Sequence, residues 1–376
     1  MADVQELKSY KKKRKRRSRF LRTLIVCLII IFVFVFVAFS EGWIDESFFE
    51  SIKTKPEGYP VSVVGGVAQD VYSLSNHIML LTDTDVVLYN KYGEISSQTG
   101  HNSSHPHVVV KNDKALIYDK GYNHFQIQDK NGIVYSSSTN NSITNADFAD
   151  NGSYAISTTS TRFLSEMYVY NKNNNEICYW KSTNGYISAM SFSKTSKKLA
   201  VSSIYAENGE LKSGIRLFDL NRETDPIVFE KEFLGSSVIS VQYLDNFDIL
   251  LVFDDSYLII NEKGNIIKEY KYDYELYYQN TSLNCSVLVF KDNSGKLFLH
   301  RIGGDSSITT MNLEETDFKS LAFNSSHIFV LGEENISSYN LYGQKEIKVS
   351  SIADAFEIAE KDGLVYALNF TQIKEF

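Results

Sequence analysis

From about Tyr59 to the end of the chain, short runs of β-branched and aromatic residues alternate with clusters of Gly, Asn, Asp and Ser. No long stretch carries apolar residues at helical spacing, so the pattern predicts strands joined by tight turns. One unit recurs: four residues of strand character, an Asn or Asp, two polar residues and usually a Gly. It is found at Asn90–Gly93, Asp129–Gly132, Asn171–Asn174, Asp219–Arg222, Asn261–Gly264, His300–Gly303 and Asn340–Gly343. The intervals are 39, 42, 48, 42, 39 and 40 residues.

The chemistry of the unit is that of a hairpin turn. An Asn or Asp side chain bonds the backbone ahead of it, and Gly takes a positive φ at little cost. Asn174 replaces Gly in the third copy and tolerates the same conformation. Arg222 breaks the rule in the longest repeat, which predicts a rebuilt loop there. A second apolar run precedes most turns, at His77–Leu81, Ala115–Tyr118, Lys198–Ser202, Ile249–Phe253, Ser286–Phe290 and His327–Leu331. A strand follows each turn, as at Ile133–Ser136, Glu176–Trp180 and Ile266–Tyr270. With one further strand per unit this makes four strands per roughly 40 residues, the size of a β-propeller blade.

The ends of the body count the blades. After Asn340 the last repeat has Ala355–Ile358, Leu364–Asn369 and Gln372–Phe376 but no outermost strand, whereas Pro60–Val64 is a strand left over before the first full repeat. Pairing the two removes two exposed edges and closes a ring. The prediction is an all-β, eight-bladed propeller spanning 59–376, with seven blades as the alternative if one boundary is misplaced.

Ahead of the body the pattern changes. Phe20 to Phe39 is apolar apart from Arg22 and Thr23, and Lys11 to Arg17 is an unbroken basic run beside it. Twenty helical residues at about 1.5 Å each span about 30 Å, the thickness of a hydrocarbon core. The positive-inside rule keeps residues 1–19 in the cytoplasm, passes 20–39 through the lipid bilayer as one transmembrane helix, and exports the rest. Residues 40–58 read as a polar, acidic stalk, with Trp43 suited to the far interface. A nuclear-localisation patch does not account for the adjoining apolar span. A cleaved signal peptide has small residues at Ala38-Phe39-Ser40, but cleavable cores usually run about 7–15 residues. Cys27 precedes the apolar core instead of ending it, against lipoprotein processing. The expected location is the cell membrane, single-pass, with an extracellular C-terminal domain.

Charge sharpens this division. The net charge of −8 hides a tail with ten Lys or Arg against Asp3 and Glu6 in residues 1–22, and a body that is strongly acidic. Clustered cations suit anionic headgroups, and an acidic body excludes nucleic acid as its ligand. Cys178 and Cys285 fall in non-adjacent repeats and read as separate thiols, so the core alone must hold the exported domain together.

Residues 187–220 resemble a WD-type blade, with an inner strand ending in Phe-Ser, a polar turn, a strand, then Ile-Arg-Leu-Phe-Asp-Leu. The Asp-Lys-Asn-Gly and Asn-Glu-Lys-Gly turns resemble those of quinoprotein propellers, for which Trp180 alone can serve as a docking tryptophan. Tail, span, stalk and degenerate propeller together are similar to a family of membrane-anchored propellers of unknown function in low-GC Gram-positive, clostridial-type bacteria. That resemblance implies an envelope location.

Candidate chemistry is sparse. His101, His105 and His107 in one loop have the residue type for zinc or copper, but no Cys or carboxylate lies close in sequence to complete a set. Tyr270, Tyr272 and Tyr274 alternate with charged residues, so one face of a strand would carry three rings, either as a stacking platform or as packing between blades. Asp83 with Asp85 and Asp254 with Asp255 sit at strand connections, where Asp serves turns. Calcium loops, serine elbows, zinc helices and phosphate loops are missing from the sequence. No residue is therefore assigned a catalytic, cofactor or metal role. The expected function is a non-enzymatic interaction module for an envelope protein or cell-wall glycan. The alternative is an extracellular enzyme, carbohydrate-active or quinone-dependent, using a polar cluster in the central funnel.

Overall fold

The computed structural model describes residues 58–282, 285–315 and 317–376. The expected tail, transmembrane helix and all but the last residue of the stalk lie outside the described residues. Among the described residues, no helix is long and apolar enough to cross a membrane. Gly58–Phe376 forms one compact unit.

The described strands make eight antiparallel sheets of four. The chain opens with β1 (Val61–Ser62), set aside for the last sheet. Blade 1 is β2 (Ala68–Leu74), β3 (His77–Thr82), β4 (Asp85–Asn90) and β5 (Ile95–Gly100). Blade 2 is β6 (Pro106–Lys111), β7 (Lys114–Asp119), β8 (His124–Asp129) and β9 (Gly132–Ser138). Blade 3 is β10 (Ile143–Phe148), β11 (Tyr154–Thr158), β12 (Ser165–Tyr170) and β13 (Glu176–Ser182). Blade 4 is β14 (Tyr186–Phe192), β15 (Lys198–Glu207), β16 (Glu210–Asp219) and β17 (Ile227–Leu234). Blade 5 is β18 (Val238–Tyr243), β19 (Ile249–Phe253), β20 (Ser256–Ile260) and β21 (Ile266–Lys271). Blade 6 is β22 (Glu275–Ser282), β23 (Cys285–Lys291), β24 (Leu297–Ile302) and β25 (Ile308–Asn312). Blade 7 is β26 (Ser320–Phe323), β27 (His327–Leu331), β28 (Asn335–Asn340) and β29 (Lys345–Ser350). Blade 8 joins β30 (Glu357–Lys361), β31 (Leu364–Leu368) and β32 (Gln372–Glu375) to β1 from the other end of the chain.

The hydrophobic core divides into eight layers, one between each pair of neighbouring blades. Val71, Leu80 and Val87 of blade 1, for example, pack on Tyr366, Leu368 and Ile373 of blade 8. Second strands are covered on both faces and read as unbroken apolar runs, such as Ile249–Phe253. Outer strands are covered on one face and alternate, as β17 does along its whole length. Ring closure is short: Val61 pairs with Ile373, Ser62 with Gln372, and the Val63 N–H donates to the Thr371 carbonyl at 2.9 Å.

The recurring turn joins third and fourth strands. In blade 1 the Asn90 side chain accepts from the Tyr92 and Glu94 N–H groups, and the Gly93 N–H donates to the Asn90 carbonyl. Asn174 takes Gly's place with φ 63°. At Arg222 the loop widens, with Asp225 in the left-handed region and Asp219 pairing with Pro226. The sixth copy corrects the sequence register. His300 and Arg301 lie inside β24, and the turn begins at Gly303, with Ser306 at φ 65° in the place of the usual Gly. The four residues ending at Gly303 mimic the motif, but His300 is buried among Tyr257, Tyr270 and Phe290.

Blade 4 differs from the rest. Its β15 and β16 run ten residues each to an Asn208-Gly209 tip, with both tip residues at positive φ. That is the signature of a two-residue hairpin turn. The inner strand β14 stops pairing at Ile204, so the hairpin continues beyond it.

Candidate functional site

Antiparallel order gives the ring two faces. Turns from first to second and third to fourth strands share one, here the turn face. Second-to-third turns and blade-to-blade connections share the other, the funnel face.

Innermost strands line the axis and bond across the blades. Asn145 Nδ2 donates to the Ser188 carbonyl (2.7 Å) and the Phe192 N–H to Asp147 Oδ2 (2.8 Å). The Tyr243 N–H donates to Ser191 Oγ (3.0 Å), Ser240 Oγ to Gln279 Oε1 (3.2 Å), and Asn280 Nδ2 to the Leu321 carbonyl (3.1 Å). Ser320 Oγ, fully buried, donates to Glu357. Blades 3 to 8 are thus laced in sequence.

Where blade 8 meets blade 1, this lacing gives way to two carboxylates. Glu357 opens β30, and Asp70 lies two residues into β2, each near the funnel face. Asp70 accepts the Tyr72 hydroxyl at 2.6 Å and the Val71 N–H at 2.7 Å. Burial pushes Glu357 up to about 7, and the neighbouring Asp70 charge adds to the rise, against the hydrogen bonds from Ser320 and Ile358. Burial likewise raises Asp70, opposed by its bonds from Tyr72 and Val71. The phenols of Tyr72 and Tyr278 are held protonated, chiefly by burial and then by these acids. The arrangement can therefore carry a proton on a carboxyl near neutral pH, the property a general acid or base requires. Sequence reading missed it because 287 residues separate Asp70 from Glu357 and neither belongs to a motif.

The funnel face has a second feature. Inner strands of blades 1, 3, 4, 5 and 6 each carry a bulge near their start. The extra residue is Ile239 in β18 and Tyr277 in β22, 44% and 43% exposed. A bulge re-aims a side chain, here outward. Tyr186, which opens β14, is 59% exposed, and Leu234 at the end of β17 is 66% exposed. Blades 4 to 6 thus present apolar groups beside the long hairpin.

The residues singled out by sequence are dispersed. His101 is buried, with Nε2 3.0 Å from the Thr82 carbonyl and Nδ1 accepting from Ser103, while His105 stacks on Tyr122 and His107 on Tyr118. The three-ring strand is corrected: β21 ends at Lys271, and Tyr270 and Tyr272 pack against Phe290 between blades 5 and 6. Tyr274 sits in the connection, edge-on to Phe298. Trp180 packs on Phe218 with the Arg216 guanidinium over its ring, so its faces serve the junction of blades 3 and 4. Asp83 and Asp254 each accept a backbone N–H from the preceding connection, at Val67 and Ser237. Cys178 and Cys285 are free thiols in blades 3 and 6.

Eight four-stranded blades around a laced axis, with a decorated funnel face, define an eight-bladed β-propeller. Solved propellers are similar over most of the chain. The computationally designed Ika8 protein has 13% identity and TM-score 0.59, covering 85% of this chain and 100% of its own. Sqt1 of Saccharomyces cerevisiae has 11% identity and TM-score 0.58, covering 86% and 99%. BamB of Moraxella catarrhalis has 10% identity and TM-score 0.53, covering 84% and 100%. These likenesses concern the fold alone. No curated protein sequence matches the chain. The chain belongs to the DUF5711 family, a family of unknown function whose model matches residues 59–372.

Proposed function

We propose that this protein is a membrane-anchored, extracytoplasmic propeller of the low-GC Gram-positive envelope that binds a partner and catalyses no reaction. Residues 20–39 hold it in the lipid bilayer, residues 1–19 stay in the cytoplasm, and the propeller works outside. The observation that carries the binding role is the apolar surface of Tyr186, Leu234, Ile239 and Tyr277 beside the projecting hairpin. Exposed apolar groups gathered on one face mark interaction sites, and the bulges direct two of them there. An envelope protein fits better than a cell-wall glycan, because aliphatic Leu234 and Ile239 offer a sugar no hydrogen bond. The test is proximity labelling in cells carrying the wild type or Ile239→Asp with Tyr277→Ser. Envelope proteins labelled by the wild type should be lost with the double variant at equal abundance. An unchanged labelling profile would refute the assignment.

A second reading rests on Asp70 and Glu357. A carboxyl that holds its proton near pH 7 beside an ionisable partner is the equipment of an extracellular carbohydrate-active enzyme. Hydrolysis of envelope glycans that disappears in Glu357→Gln, with folding intact, would establish it. Hydrolysis untouched by that substitution would remove it. The quinone-dependent variant has less support, since Trp180 is committed to packing.

A further inference from the structure

The chain enters the ring on a defined face. Blade 8 takes its outer strand, β1, from the residues that follow the N-terminal region. Gly58 lies against the recurring turn of blade 1: a Cβ built on Gly93 would stand 2.9 Å from the Gly58 carbonyl oxygen. The Tyr59 hydroxyl donates to the Asn90 carbonyl of that turn at 3.3 Å. The chain therefore joins the ring at the rim of the turn face.

The turns in the blades flanking this entry differ from the other copies. Blade 1 has Asn90-Lys91-Tyr92-Gly93 and blade 7 has Asn340-Leu341-Tyr342-Gly343; no other copy of the unit places Tyr before its last residue. Tyr342 is 87% exposed and Tyr92 43%, and the strands that follow expose Ile347 at 57% and Ile95 at 48%. Lys91 Nζ lies 4.8 Å from the Tyr92 ring centre. The side chains of Tyr342 and Ile347 lie mostly open to solvent. Tyrosine rings beside aliphatic side chains, with a lysine at hand, match the chemistry of the bilayer interface.

We infer that the rim formed by Tyr92, Ile95, Tyr342 and Ile347 seats in the headgroup layer of the membrane, so that the funnel face turns away from it. The inference rests on the anchored reading above and adds the orientation to it. The tether fixes where the ring is held. The two Tyr-Gly turns, one on each side, fix which way it leans.

The test uses the full chain with Cys27, Cys178 and Cys285 replaced by Ala, reconstituted in vesicles of phosphatidylcholine and phosphatidylglycerol. A fluorophore is attached at Tyr342→Cys or at Phe370→Cys. Phe370 is also apolar and exposed, and it belongs to blade 8 but to a funnel-face turn. Lipids bearing a headgroup nitroxide should quench the probe at 342 several-fold more than the probe at 370. Carbonate washing reports the anchor separately. A wash-resistant chain quenched equally at both positions, or more at 370, overturns the orientation and leaves the anchor standing. A chain stripped by carbonate but quenched at 342 before the wash overturns the anchor and leaves the rim contact standing. A stripped chain with no preference overturns both.

Discussion

Ring closure makes a quantitative demand on one glycine. Gly93 sits at φ 79°, and a Cβ there would lie 2.7 Å from Val61 Cγ1 and 2.9 Å from the Gly58 carbonyl oxygen. Gly343 holds the same position in blade 7 at φ 78°, but its Cβ would meet only the flexible Met311 side chain, at 3.2 Å. Alanine in either turn carries the left-handed penalty of about 1–2 kcal/mol. Only Gly93→Ala must also displace backbone at the closure strand, for which overpacking costs about 1–3 kcal/mol more. Gly93→Ala should therefore melt lower than Gly343→Ala by roughly 2–6 °C in a chain of this size. Circular dichroism in the far ultraviolet reads the melt. Adding Val61→Ala removes one of the two obstructing groups, so a double-mutant cycle should show coupling of about 0.5–1 kcal/mol between 61 and 93. Equal melting of the two glycine variants, or no coupling, would refute the packing described for the closure.

Three further outcomes follow from the buried polar groups. Glu357 is raised in the folded state, so its favourable contribution is complete below the ordinary glutamate value and is lost as pH rises through about 7. Glu357→Gln should therefore be near neutral at pH 5 and stabilising by on the order of 1–3 kcal/mol at pH 8, and melting at the two values checks the sign. At the junction of blades 6 and 7, burial raises Glu315, but the hydrogen bonds that Lys345 and Tyr339 donate to it work the other way, and the group is held below its usual value. Its stabilisation is present above that usual value and fades as pH falls through the lowered one, so Glu315→Ala should cost about 2–4 kcal/mol at pH 7 and less in acid. Tyr272→Ala should lower the urea midpoint by the equivalent of about 2–4 kcal/mol, since it empties the packing against Phe290 and Tyr257; a midpoint unchanged from wild type would contradict that role.

The projecting hairpin of blade 4 shows how a visible signal can be under-read. Asn208-Gly209 is a strong hairpin turn, and strand-forming residues flank it. The apolar run Lys198–Ser202 is only the first half of β15, and the five residues after it pair with β16 to build the projection. The shifted turn of blade 6 shows the converse. Gly303 has the spacing of the motif's last residue, yet it opens the turn, and Ser306 takes the positive φ. Local spacing cannot tell these apart, because the register of β24 is set by its pairing with β23 and β25.

What the sequence determined by itself is the repeat: strand length, turn chemistry and the count of units are local properties, written in periods of two and in Asn, Asp and Gly. The eighth blade was also legible there, because a last repeat lacking one strand and a first strand lacking a repeat leave two edges that pairing satisfies. The tertiary structure decided which polar residues meet. Asp70 and Glu357 share an environment only because closure brings the two ends of the chain together at the axis. The fate of the histidines and tyrosines was decided in the same way. Whether a ring faces solvent or the next blade depends on the twist and stacking of neighbouring sheets, and no alternation along one strand encodes that.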